Sequence, residues 1–206
     1  MKHILPHNVG FTLDKVPSDI LGKLKTLIAD AYDNPSDYEK HQHLVSGHIK
    51  NELILGDDVR FIEPYIMDLA MAHDKEFNYL NTCTHVPKPF DMELSEIWVN
   101  FQEKGEFNPA HCHMGIYSFV FWVDVPYTFE GEQALLPEAG GLKSGKFEFL
   151  YTNTLGQIGT HTLDTDSQSE GFICLFPSNM RHLVYPFASS DKLRVTVAGN
   201  LKVADS

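Results

Sequence analysis

The hydrophobic period of this chain changes at Leu94, and few folds accommodate that change. Upstream, Ile20, Leu21, Leu24, Leu27, Ile28 and Ala31 recur at the spacing of a buried helical stripe. Ser18 or Asp19 is expected to cap this helix, which runs to about Tyr32 before Asn34-Pro35-Ser36 stops it. A second helix is predicted from about Asp57 to Tyr79, with Val59, Ile62, Ile66, Leu69, Ala70 and Phe77 on one face and Pro64 near its first turns. Residues 1–13 read as a first strand, and 35–56 and 81–92 as connectors. From Leu94 the pattern alternates, with strands predicted at 94–102, 115–125, 146–152, 157–164, 170–177 and 192–201. The segment 127–145, with Glu138-Ala139-Gly140-Gly141, reads as a long flexible loop. The chain therefore reads as one α+β domain over 1–206: a helical N-terminal part, 1–93, followed by a β-sandwich or barrel, 94–201.

Composition narrows the function classes. With 43% hydrophobic and 21% charged residues, the chain is typical of a globular protein. A net charge of −12 argues against a nucleic-acid-binding surface, because phosphates are repelled. Cys83, Cys112 and Cys174 are odd in number and widely spaced, which reads as reduced thiols rather than disulfides. Cys112 and Cys174 are expected to be buried apolar residues. The N-terminus lacks the apolar core of a signal peptide, and no apolar run approaches the roughly 18 residues of a membrane span. A cytoplasmic protein is expected, with no membrane partner. The oligomeric state is left open, a homo-oligomer included.

His111-Cys112-His113, answered far along the chain by His182, is the chemistry-bearing pattern. On an extended strand, residues i and i+2 share a face, so His111 and His113 can address one ion with Cys112 turned away. Imidazole suits Fe, Zn, Cu and Ni alike, so the three histidines do not select the metal. Gly105, five residues, then His111-x-His113 matches the first motif of cupins, and Gly171, five residues, Pro177, then His182 resembles the second. The chain departs from cupins where their first motif carries a glutamate, having Tyr117 and Ser118 there, and where a glycine follows the proline, having Asn179. His41, His43, His48, His73, His85 and His161 read as solvated or structural, and Trp98 and Trp122 as core aromatics.

The residues 96–100 (Glu96-Ile97-Trp98-Val99-Asn100), His111-Cys112-His113, 118–122, Phe176-Pro177-Ser178 through His182, and Arg194-Val195-Thr196 resemble the 2-oxoglutarate- and Fe(II)-dependent oxygenase superfamily, in particular a small branch with bacterial and phage members. The resemblance implies a double-stranded β-helix (jelly-roll) core with the N-terminal helices packed on one sheet. It also implies Fe(II) and 2-oxoglutarate as cofactors, O₂ as co-substrate, and hydroxylation of a substrate the sequence does not identify. His111, His113 and His182 would be the metal ligands and catalytic centre. Arg194, twelve residues beyond His182, would pair with the far carboxylate of 2-oxoglutarate, with Thr196, Ser118, Tyr117 and Asn100 completing the cofactor pocket.

Members of that superfamily carry His-x-Asp or His-x-Glu, so this chain departs from them by placing His113 where a carboxylate is usual. Two registers stay open: a three-histidine site beginning at His111, or one beginning at His113, with Gly115 at the vacated carboxylate position as in iron halogenases. Both keep His113 and His182. Two other readings compete: a three-histidine cupin-type dioxygenase that does not use 2-oxoglutarate, and a non-catalytic metal-binding β-sandwich.

Overall fold

The computed structural model describes residues 8–41, 47–83 and 89–204. Two antiparallel sheets face each other. The larger is built from β1 (Thr12–Lys15), β2 (Glu52–Ile54), β3 (Met92–Gln102), β5 (Tyr117–Asp124), β8 (Phe172–Pro177) and β10 (Arg194–Val203), in the order β1-β8-β5-β10-β3-β2. The smaller holds β4 (Asn108–His111), β6 (Phe147–Thr152), β7 (Ile158–Leu163) and β9 (Arg181–Val184), in the order β4-β9-β6-β7. From β3 to β10 the chain crosses between the sheets at every connection except the β6–β7 hairpin, giving a double-stranded β-helix.

The continuous apolar run Phe119-Val120-Phe121-Trp122-Val123 is explained by burial on both faces. Tyr117, Phe119, Phe121 and Val123 join Leu24, Ile28, Ile66 and Leu69 in the core between the large sheet and the helices α1 (Ser18–Asp33) and α2 (Glu63–Phe77). Val120 and Trp122 point the other way, into the inter-sheet layer with Phe147, Phe149 and Phe176. The helices are thus packed on one sheet, and the space between the sheets is left for chemistry.

Several expectations need correction. The first helix begins at Ser18 with Pro17 at its cap, and no side chain caps it; the Pro17 carbonyl accepts from Leu21 N–H at 3.0 Å. The second helix is preceded by a 3₁₀ turn, Asp57–Ile62, and ends at Phe77 with Asn78 in the left-handed conformation. The first strand begins only at Thr12, and residues 1–7 lie outside the described residues. Three short strands escaped the alternation pattern, β2, β4 and β9, each of three or four residues. Such runs are too short for a period to register.

The segment 127–145 is not a free loop. It contains α3 (Phe129–Leu135), capped by Thr128, whose Oγ1 accepts from Gly131 N–H at 3.1 Å. Buried Glu132 then accepts from the backbone N–H groups of Ala188 and Ser189. β1 and β2, from the N-terminal part, form the two edges of the large sheet, so that part is not purely helical. Among the described residues no helix is long and apolar enough to cross a membrane.

Candidate metal centre

The small sheet sets two of the three histidines. His111, the last residue of β4, is the register partner of His182 on β9. Their rings stand 4.3 Å apart between centroids. Arg181, next to His182, points out to solvent, as strand alternation requires. His182 is 3% exposed and lies among Phe147, Phe149 and Phe176, stacked on Phe147 at 5.3 Å.

His113 lies beyond the end of β4, so strand alternation does not place it. Its backbone N–H donates to Ser178 O at 2.8 Å, tying it to the turn before β9. Gly115 then reverses the chain into β5 with φ of +126°, and a Cβ there would stand 2.7 Å from Leu201 O. Only glycine accommodates both the conformation and the approach. The turn carries His113 to 5.0 Å from His111 and 5.1 Å from His182 between ring centroids. One ligand atom from each of the three histidines falls within 4.8 Å of the others.

Hydrogen bonds select the tautomers. His111 Nδ1 lies 2.7 Å from Pro109 O and His182 Nδ1 lies 3.0 Å from Met180 O. A carbonyl only accepts, so both Nδ1 atoms carry the proton and both Nε2 lone pairs are free for a metal. Burial lowers the pKa of all three histidines: His113 to about 4, with His111 and His41 adding to the shift, and His182 well below the usual range. Neutral imidazoles converging on one point are the form a transition metal takes.

The inter-sheet cavity beyond the histidines is lined by Trp98, Asn100, Gln102, Asn108, Trp122, Phe147, Thr196 and Arg194, among others. The cavity volume is about 50 Å³. Arg194 is 1% exposed. Its five N–H groups donate to Gln102 Oε1 (twice), Tyr127 OH, Gly145 O and Tyr185 O, at 2.6 to 3.1 Å. Every acceptor is neutral, and no ion pair joins Arg194 to a carboxylate among the described residues. A buried cation with no anion beside it is an unusual and costly arrangement.

Residues 96–200, half of the chain, match the family model described as "Putative 2OG-Fe(II) oxygenase". The chain belongs to the 2-oxoglutarate- and Fe(II)-dependent oxygenases. Solved structures agree in fold. A prolyl-4-hydroxylase from Pseudomonas putida aligns with a TM-score of 0.57 at 12% identity, covering 96% of this chain and 94% of that one. A 2OG-Fe(II) oxygenase-family oxidoreductase from Burkholderia pseudomallei aligns at 0.53 and 11%, over 94% and 84%. The non-heme alpha-ketoglutarate-dependent epimerase of nogalamycin biosynthesis aligns at 0.60 and 12%, over 94% and 76%. A search of curated proteins gives no match.

As a member of this oxygenase family the chain is an oxidoreductase with Fe(II) and 2-oxoglutarate as cofactors and O₂ as co-substrate. The structure brings most of the expected site residues of this oxygenase together. Asn100 and Thr196 line the cavity, with Asn100 Nδ2 donating to Thr196 Oγ1 at 3.0 Å. Asn100 Oδ1 is left buried without a partner. Trp98 and Trp122 are buried, as expected, but both also line the cavity.

Tyr117 and Ser118 do not join the cavity lining. Tyr117 faces the helix side of the large sheet, against His73 and Tyr79, because strand parity turns it away. Ser118 sits at the end of β5, donating to Asn200 Oδ1 and bonded to Ser178 Oγ. Gly115 belongs to the turn, not the cavity lining. Cys112 is exposed rather than buried, a consequence of the chain leaving the sheet at His111; Cys174 is buried.

Sequence reasoning missed four residues. Gln102 shares strand parity with Trp98 and Asn100, and that signal was available. Tyr127 reaches Arg194 only through the folding back of 127–145, which no period announces. His41, expected to be solvated or structural, is 7% exposed and stacks on Trp98 at 4.3 Å, next to the site. Glu52 is buried on β2 beside Asn100. Of the other histidines, His48 stacks on Phe107, His73 is buried against Phe77, and His161 is exposed beside Phe11. His43 and His85 lie outside the described residues.

Proposed function

We propose that this oxygenase holds Fe(II) through three histidines, His111, His113 and His182, anchors 2-oxoglutarate on Arg194, and hydroxylates a C–H bond of its main substrate. The reading treats 1–206 as one domain, which the edge strands β1 and β2 support. The observation that carries it is that the buried guanidinium of Arg194, lacking any anion, lines the same cavity as the three converging imidazoles. A dicarboxylate with one end at the metal would bring a negative charge to the other.

The residues fit both groups. Two of the three imidazoles have Nδ1 occupied by a carbonyl and Nε2 free, which suits a first-row metal. The planar fork of Arg194 suits a carboxylate. When bound, Fe(II) and 2-oxoglutarate supply the activation of O₂ that oxidises the substrate, with 2-oxoglutarate converted to succinate and CO₂.

The rest is done by this chain. Pro109 O and Met180 O hold the imidazole planes of His111 and His182 in place. The aromatic belt of Phe147, Phe149 and Phe176 around His182 excludes water from the metal side. At the far side of the cavity Gln102 and Tyr127 accept from Arg194 and hold its guanidinium in place. Thr196, with Asn100 behind it, offers a hydroxyl along the way.

The test is succinate formation from 2-oxoglutarate under air, without added substrate. His182→Ala is expected to lose both bound iron and succinate. Succinate formation that continues unchanged in that variant contradicts the assignment. Iron retained by the wild type with no use of 2-oxoglutarate would leave a three-histidine dioxygenase of the cupin kind.

A further inference from the structure

A second buried ionisable group without an opposite charge lies beside this cavity, on the sheet face of Asn100. Glu52 is 2% exposed, and its Oε1 has no hydrogen-bond partner. No ion pair involves it among the described residues. The charge that acts on it is another carboxylate, Glu106, and burial together with Glu106 raises its pKa to about 7. A buried acid in that setting lacks a cation.

Its position relates it to the site. Glu52 on β2 is the register partner of Asn100 on β3, and directly paired residues share a sheet face. Asn100 lines the metal cavity, so Glu52 stands on the cavity side. Asn100 Oδ1 and Asn108 Oδ1, both on cavity-lining residues, are also buried and unpartnered. His41, whose backbone N–H donates to Glu52 O at 3.0 Å, adds an unpartnered Nδ1. Each of these four atoms can accept a hydrogen bond. Trp98, stacked on His41 at 4.3 Å and tilted against His113 at 5.7 Å, supplies an aromatic wall. A sheet face with unused acceptors, one of them an acid, beside an indole is the complement of an N–H-bearing cation.

We propose that the main substrate of this oxygenase presents an organic cation, an alkylammonium or guanidinium group, that is received by Glu52, Asn100 and Asn108 beside Trp98. Arg194 in the cavity and Glu52 beside it would then divide the work by charge. Arg194 takes the anionic co-substrate and Glu52 takes the cationic substrate, so neither competes for the other's place. The inference deepens the oxygenase reading and rests on it for the statement that oxidation occurs in this cavity.

The test is calorimetric titration of the anaerobic protein loaded with Fe(II) and 2-oxoglutarate, using two matched pairs of probes: L-arginine against L-citrulline, and L-lysine against L-norleucine. At least one charged member is expected to bind ten-fold or more tightly than its uncharged partner, and Glu52→Gln is expected to remove that preference. The 2-oxoglutarate affinity of Glu52→Gln should equal that of the wild type, which also verifies its fold. No preference for the cation in the wild type, or a preference that survives Glu52→Gln, overturns the proposal. A protein that fails to bind 2-oxoglutarate but still prefers the cations overturns the role of Arg194 and leaves this one standing.

Discussion

His111 and His182 face each other as a register pair across the β4–β9 ladder, 4.3 Å apart between ring centroids. A cross-strand pair is a rigid way to hold two ligands, because the ladder fixes the spacing before any metal arrives. His113 is held differently, by a turn. The two modes of support make different predictions.

Loss of either ladder histidine should abolish iron binding. His111→Ala and His182→Ala are each expected to lose stoichiometric iron, measured by metal analysis after anaerobic loading. His113→Asp should retain it, since a carboxylate there restores the two-histidine, one-carboxylate set that non-heme iron commonly takes. Full iron content in His111→Ala would make the ladder pair a structural feature only.

Gly115→Ala tests the turn. The substitution forces a side chain to a φ of +126° and within 2.7 Å of Leu201 O. A loss of about 2 kcal/mol in stability is expected from backbone strain of this kind. Because the same turn carries His113, iron affinity should fall with it. Chemical denaturation and metal titration read the two effects separately, and a variant with wild-type values in both shows that the turn is soft.

Glu52 sets a pH dependence of stability. Its carboxyl titrates near 4.5 when unfolded and about 7 when folded, raised by burial and then by Glu106. The folded state therefore holds the proton more tightly. The contribution of Glu52 is full below about pH 4.5 and is lost as pH rises through 7. The size is on the order of 3 kcal/mol. Glu52→Gln should remove this slope and be the more stable protein at pH 8. A stabilised variant that loses substrate binding would be a trade of stability for function. Equal stability of the two proteins across pH 5 to 8 would show that Glu52 already has a partner.

Much of the β core was legible because its long strands, such as β3 and β5, run eight or more residues rich in β-branched and aromatic side chains. The metal histidines were legible by spacing, although the reason differs for His113. The sequence suggested one straight strand through 111–113, whereas the strand stops at His111 and Gly115 makes the turn. Arg194 could be placed in the cavity by resemblance, but its neighbours Tyr127 and Gly145 come from the folded-back 127–145 segment, and such contacts leave no local pattern. The resemblance puts Tyr117 in the pocket, and strand parity sends it to the other face. His41 and Glu52 were invisible because short β2 pairs with β3, and the segment before it with β2, through tertiary contacts alone.

The most direct measurement is anaerobic calorimetric titration of the Fe(II)-loaded protein with 2-oxoglutarate, comparing the wild type with Arg194→Gln. Saturable one-to-one binding is expected in the wild type, weakened about 100-fold or more in the variant, in keeping with the loss of a buried charge partner. Absence of binding in the wild type, or equal affinity in Arg194→Gln with iron retained, would contradict the assignment of Arg194 as the 2-oxoglutarate anchor.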